Sequence, residues 1–213
     1  MNGDIEAMAD FIEIVKERRS AANFLPNHPI TEQELTEIFE LVKLAPSAFN
    51  LQHTNYIAVT DEETKERLHE AAYGQYKVKS SSAVILVLGD KKAFQKAPKI
   101  YKSLKLLGIV NEQEYDFMVN DTISFYVSRG AEFQKEEAIR NASLSAMLFM
   151  LAAKEKGWDT CPMIGFDSDA VKEISKTSET QEVVMMITLG KEKVESRKPR
   201  GYRKPVGEIV KFI

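Results

Sequence analysis

The chain has 213 residues, 44% of them hydrophobic, which suits one compact domain or a domain whose core a partner completes. Its 29 basic and 32 acidic residues give a formal net charge of −3, so no global charge excess points to nucleic acid or an anionic membrane as a partner. No apolar run approaches the roughly 20 residues of a membrane span, residues 1–14 carry acids and no basic leader, and a lone Cys161 excludes an internal disulfide, so a cytoplasmic, reducing setting is expected.

Apolar residues at Ile5, Met8, Phe11, Ile12 and Val15 repeat at helical spacing and predict a first helix ending near Arg18 to Ser20. A second helix is expected at residues 31–44, with Thr31 and Glu34 as a capping box and Pro46 as its stop. Residues 55–60 read as a strand, 61–72 as a helix capped by Asp61, and 83–88 as a strand buried on both faces. Residues 91–132 carry weak helical patterns at 100–107 and 115–126, separated by Pro98, Gly108 and Gly130, and are expected to form helices and a mobile cover.

Residues 136–156 are apolar nearly all round, so this helix is expected to be buried on several faces, either threading the core or forming the seam of an obligate dimer, with Gly157 as its C-cap. The segment 162–165 reads as a tight turn before a helix capped by Asp167. Residues 183–189 read as a continuous apolar strand, and 206–213 as a last extended segment whose Ile209 and Val210 need a sheet to join.

Four segments carry candidate chemistry. Arg18, Arg19 and Ser20 at a helix end complement the helix dipole, and the same groups form a mixed donor set for a phosphate, which Arg203 with Arg200 nearby would meet from the tail. The turn with Pro46, Ser47, Ala48, Asn50 and Gln52 has ordinary loop formers. Yet its two amides offer donor and acceptor together, as the edge of a flat heterocycle requires. Gly165, after Met163 and Ile164, permits close backbone approach to a flat ligand.

Other enzyme classes lack their parts: there is no G-x-G-x-x-G after a strand, no Walker loop and no G-x-S-x-G elbow. His28, His53 and His69 show no triad or metal spacing and read as surface or loop residues. Cys161 has no activating cation nearby in sequence and reads as a buried, inert thiol.

In their order and depth along the chain, these segments, ending in Arg200-Gly201-Tyr202-Arg203-Lys204-Pro205, resemble the FMN-dependent nitroreductase family over about residues 12–210. The resemblance implies an α+β, nitroreductase-like fold: a mostly antiparallel central sheet wrapped by helices, in an interlocked homodimer with two FMN molecules at the interface. Residues 1–213 would form a single FMN-binding domain, with a helical cover at about 91–132, the apolar helix at the dimer seam and the C-terminal segment on the partner's sheet.

It further implies that Arg18, Arg19 and Ser20 hold the phosphate or ribityl end of FMN, joined by Arg203. Pro46, Ser47, Ala48 and Asn50 would cover the ring from the other subunit, Gly165 would aim its amide at N5 beside Met163 and Ile164, and Gln75 and Lys79 would contact the ring or ribityl chain. Two departures stand out: Ala22 where many relatives carry a cation near N1, and Ile164 where relatives often have an acid. The implied activity is ping-pong reduction of nitroaromatic, quinone or similar flat acceptors with NADH or NADPH, with no protein acid, base, nucleophile or metal. The alternatives are an FMN store or sensor without efficient turnover, and a helical dimerisation protein without a ligand.

Overall fold

The computed structural model describes residues 11–213; Ile5 and Met8 of the first expected helix lie outside the described residues. In chain order the elements are α1 (Phe11–Glu17), α2 (Glu32–Val42), β1 (Thr54–Val59), α3 (Glu62–Ala71), α4 (Tyr76–Ser80), β2 (Ala83–Asp90), α5 (Ala97–Leu106), α6 (Glu112–Glu155), β3 (Asp159–Met163), α7 (Ser168–Ser175), β4 (Gln181–Gly190) and α8 (Val206–Ile209). The strands form an antiparallel sheet in the order β1-β2-β4-β3.

Position in the sheet explains the sequence of β2, which is buried at every residue. Its Ala83, Ile85 and Val87 face a cluster built with α2 and α6, while Val84, Leu86 and Leu88 face one built with α3 and α7. On the first face α6 lies close because Ala138, Ala142, Ala146 and Ala153, all fully buried, present only methyl groups. Gly89 completes that approach, since a Cβ there would stand 2.7 Å from the Ala138 carbonyl oxygen.

The helix starts follow their capping chemistry. Thr31 Oγ1 accepts the Glu34 N–H at 3.2 Å and the Glu34 carboxylate accepts the Thr31 N–H at 2.9 Å, the reciprocal box expected for α2. Asp61 caps α3 by accepting the Thr64 N–H at 2.8 Å, and Asp167 caps α7 by accepting the N–H groups of Asp169 and Ala170.

Some expectations hold and others change. Gly130, at φ 78° and ψ −178°, leaves helical geometry and divides α6 into two helical segments, the separation expected there. Residues 91–132 are largely helical, as expected, and α5 and the first part of α6 pack around Leu51, Phe94, Tyr101 and Tyr126. Of the two alternatives for the apolar stretch 136–156, threading the core does not hold for all of it within one chain: Ala142, Ala146 and Phe149 are fully buried, but Leu144 is 50% and Met147 42% exposed. Residues 162–163, expected in a turn, end the edge strand β3, where Pro162 opposite Ile187 is tolerated because an edge leaves one side of the strand without ladder bonds. Residues 206–213 are not wholly extended: with no strand beside them in this chain, Val206–Ile209 turns into α8, closed by the Val210 N–H on the Val206 carbonyl at 2.9 Å. The short α4 was not expected.

Candidate functional site

The C-terminal end of α1 and the returning tail meet as the sequence led one to expect. Arg18, Arg19, Ser20, Arg200 and Arg203 line one cleft of ≈ 180 Å³, which Ala22 also borders. The tail is fastened to α1 through backbone oxygens: Arg200 donates to the carbonyls of Lys16 and Arg18, the latter at 3.2 Å, and Arg19 donates to that of Lys198 at 3.3 Å. Arg203 donates to its neighbouring Gly201 and Tyr202 carbonyls at 3.1 and 2.9 Å.

Among the described residues, no carboxylate lines this cleft. Arg197, at its rim, is neutralised by Glu192, with Nε 2.7 Å from the carboxylate. Arg18 has no such partner among the described residues, and its Nη1 is buried without a hydrogen bond. Burial, and after it the charges of Arg200 and Arg203, push the Arg18 pKa below the usual arginine value. An orphaned donor among crowded like charges is the arrangement an anion relieves, and a phosphate offers the acceptor oxygens that a guanidinium fork matches.

From this cleft β3 leads toward Gly165. Ser20 forms a bridge with Thr160, and the Ala21 N–H donates to the Thr160 carbonyl at 3.0 Å. Three residues later, roughly 10 Å along an extended strand, Met163 ends β3, and Ile164 (80% exposed) and Gly165 follow at the surface. Gln75 is held here, its Nε2 donating to the Gly165 carbonyl at 2.7 Å.

Lys79 is placed elsewhere: its ammonium pairs with Glu66 at 3.1 Å on the outer side of α4. Lys77 takes the inward position, with Nζ 3.5 Å from Cys161 Sγ. Cys161 has no activating cation beside it in sequence, but the fold supplies one: the thiol is buried, as expected, and an ammonium lies against it. The 84 residues between the two conceal this contact in the sequence. What the sequence does offer is their placement two apart on a helix, which sends Lys77 and Lys79 to different faces.

The turn at 46–52 does not join the arginine cleft within this chain. Pro46, Ser47 and Gln52 line a separate cavity of ≈ 230 Å³ beside Phe39, Tyr56 and Ser145, and Ala48 and Asn50 belong to a single 3-10 turn next to it. Ser47 Oγ accepts the Gln52 N–H at 2.9 Å, and the Gln52 amide reaches the Asn50 carbonyl at 3.4 Å. His53, which follows, is a loop residue but a buried one. Desolvation lowers its pKa to about 4, so the ring is neutral at pH 7.

Comparison with known proteins bears on this geometry. The chain is 68% identical over 206 residues to the Bacillus subtilis protein named "Putative NAD(P)H nitroreductase MhqN", covering 97% of this chain and 100% of that one. A crystal structure described as "putative nitroreductase ydfN" from Bacillus subtilis matches with a TM-score of 0.94 and 66% identity, over 97% of this chain and 100% of that chain. A second, from Exiguobacterium sibiricum, described as "a putative nitroreductase in complex with FMN", matches with a TM-score of 0.87 and 33% identity, over 96% and 97% of the two chains. A sequence model described as "Nitroreductase family" matches residues 15–191, a span that runs from α1 through all four strands, and the chain belongs to that family.

Proposed function

We propose that the protein is an FMN-dependent oxidoreductase that takes electrons from NADH or NADPH and passes them to nitroaromatics, quinones or similar flat, electron-poor acceptors in a ping-pong cycle. It works as a homodimer, each subunit one flavin-binding domain with residues 91–132 as a helical cover. The observation that carries this reading is the arginine cleft: Arg18, whose Nη1 is buried without a hydrogen-bond partner, lines it with Arg19, Arg200 and Arg203, and among the described residues no carboxylate joins them. The FMN in the Exiguobacterium sibiricum relative supports the choice of ligand.

The residues present fit that cofactor. Arg18, Arg19 and Ser20, joined by Arg203, would hold the phosphate, and Gly165 would let the ring approach the end of β3 beside Met163 and Ile164. Bound there, FMN supplies the redox chemistry, so the protein needs no acid, base or nucleophile of its own. Lys77 brings positive charge to Cys161, on β3 between the clamp and Gly165, where it would favour an electron-rich ring that Ala22 cannot stabilise. The exposed Ile164 gives the acceptor slot an apolar wall that makes no demand for hydrogen bonds.

The partner supplies what one chain lacks. At ≈ 180 Å³ the arginine cleft is smaller than the roughly 300–1,000 Å³ of ordinary ligand pockets, and Pro46, Ser47, Ala48 and Asn50 stand apart from it. A second subunit that lays its turn over the ring completes the site and covers the exposed Leu144 and Met147 of α6.

The test is the visible spectrum of FMN-reconstituted protein, recorded without oxygen. Bound-flavin bands are expected to bleach with NADPH or NADH and return when a nitroaromatic or quinone is added. Bands that persist with both donors refute electron transfer, and protein that retains no flavin refutes the site.

A further inference from the structure

The turn at residues 47–52 places three non-glycine residues in the left-handed region: Phe49 at φ 54°, Asn50 at φ 55° and Gln52 at φ 51°. Such backbone persists only where its surroundings over-determine it. Within the turn, the Asn50 N–H donates to the Ser47 carbonyl at 3.0 Å and the Gln52 N–H to Ser47 Oγ, which close the loop without fastening it to the body of the protein.

Two buried polar side chains fasten it. Asn141 of α6, 2% exposed, accepts the Ala48 N–H on Oδ1 at 2.7 Å. Its own amide is oriented by donating to the Glu137 carbonyl at 2.8 Å and to the Glu137 carboxylate at 3.3 Å. Tyr101 of α5, 6% exposed, donates its hydroxyl to the Phe49 carbonyl at 3.2 Å, leaving the Thr122 hydroxyl at 3.0 Å to donate to the phenol oxygen. The anchors come from different helical segments: Asn141 from the part of α6 after the break at Gly130, Thr122 from the part before it, and Tyr101 from α5.

From this juxtaposition we infer that Asn141 and Tyr101 are positioning residues for the cofactor. They hold the strained turn, and with it Ser47, Ala48 and Asn50, in the shape that receives the flavin ring, and they tie that shape to the cover. Neither side chain lines the arginine cleft or the cavity beside Tyr56, so each acts through the backbone it holds. The inference rests on the proposed function, which supplies the flavin but names neither residue.

Two variants test it in the full-length protein. Tyr101→Phe deletes one hydroxyl and keeps the ring, and Asn141→Leu removes the amide at similar volume. Without FMN, hydrogen exchange of the backbone amides at 47–52 should accelerate in both. With FMN, each variant should raise the dissociation constant roughly fivefold, the order expected for one net hydrogen bond, and should shift the bound flavin's visible bands and midpoint potential. Tyr101→Phe is expected to lower the Tm by only a few degrees while still shifting the spectrum and potential of the bound flavin, which a purely structural role does not explain, and it carries the test alone if Asn141→Leu fails to fold. Faster exchange with unaltered FMN affinity, spectrum and potential overturns the inference. Wild-type protein that takes up no FMN overturns the flavin reading and this inference with it, whereas wild-type uptake matched by both variants overturns the inference alone.

Discussion

Lys77 and Lys79 stand two residues apart on one short helix and meet opposite surroundings. An α-helix turns by about 200° over that interval, so Lys77 reaches Cys161 at 3.5 Å while Lys79 reaches Glu66 at 3.1 Å. In the proposed site only the inward charge would bear on an electron-rich ring. Lys77→Gln is therefore expected to weaken FMN binding roughly tenfold, in the range of a lost charge-assisted contact, and to lower the flavin midpoint potential. Lys79→Gln should leave both near wild type. Flavin-fluorescence titration and a redox titration of the two variants check this, and equal effects would dissolve the distinction. The same pair shows what sequence conveys at this scale. Arg18 and Arg203 were legible as partners because both sit in short motifs of unusual charge. Lys77 was not, because its neighbour is 84 residues away and only the fold brings the two together.

Elements were legible where their chemistry is local. Thr31 with Glu34, and Asp61 and Asp167, mark helix starts by hydrogen bonds that span three residues or fewer, and the apolar run of β2 announces a strand covered on both faces. The strand β3 was hidden because Pro162 imitates a turn, and α8 because an apolar tail has no local reason to choose between helix and strand. The break inside α6 was legible because Gly130 is the residue that takes φ 78° without a Cβ penalty. Close packing sets the strictest demand on this element. At Gly89 a Cβ would meet the Ala138 carbonyl oxygen at 2.7 Å, and this atom is fixed in a helix with no rotamer to yield. Gly89→Ala is expected to destabilise the protein by about 1–3 kcal/mol, the usual range for overpacking. Denaturant unfolding measures it; wild-type stability would mean that α6 shifts away from the sheet at little cost.

At the scale of the whole molecule, the parts of the proposed site do not meet within one chain. The arginine cleft and the turn at 47–52 line different cavities, and the described tail beyond Gly201 is exposed throughout. The second half of α6 explains how this resolves. Its small residues are spent on the sheet, while Leu144 and Met147, three positions apart and thus neighbours on the helix surface, remain about half exposed. In the proposed dimer, burying both against a second copy would gain apolar contact and bring a second turn toward the first cleft, so that dimerisation and FMN binding would become one equilibrium. Linkage then requires that a change confined to the seam, with no contact to the cofactor, should weaken FMN retention. The double variant Leu144→Glu, Met147→Glu puts two carboxylates where the seam must lose water, while adding nothing to the core of a single chain. It is expected to sediment as a folded monomer with native-like circular dichroism and to release FMN on gel filtration. A monomer that keeps FMN at wild-type affinity would show that one chain suffices, and the shared site would have to be abandoned. A variant that remains dimeric and retains FMN would move the seam elsewhere on the surface.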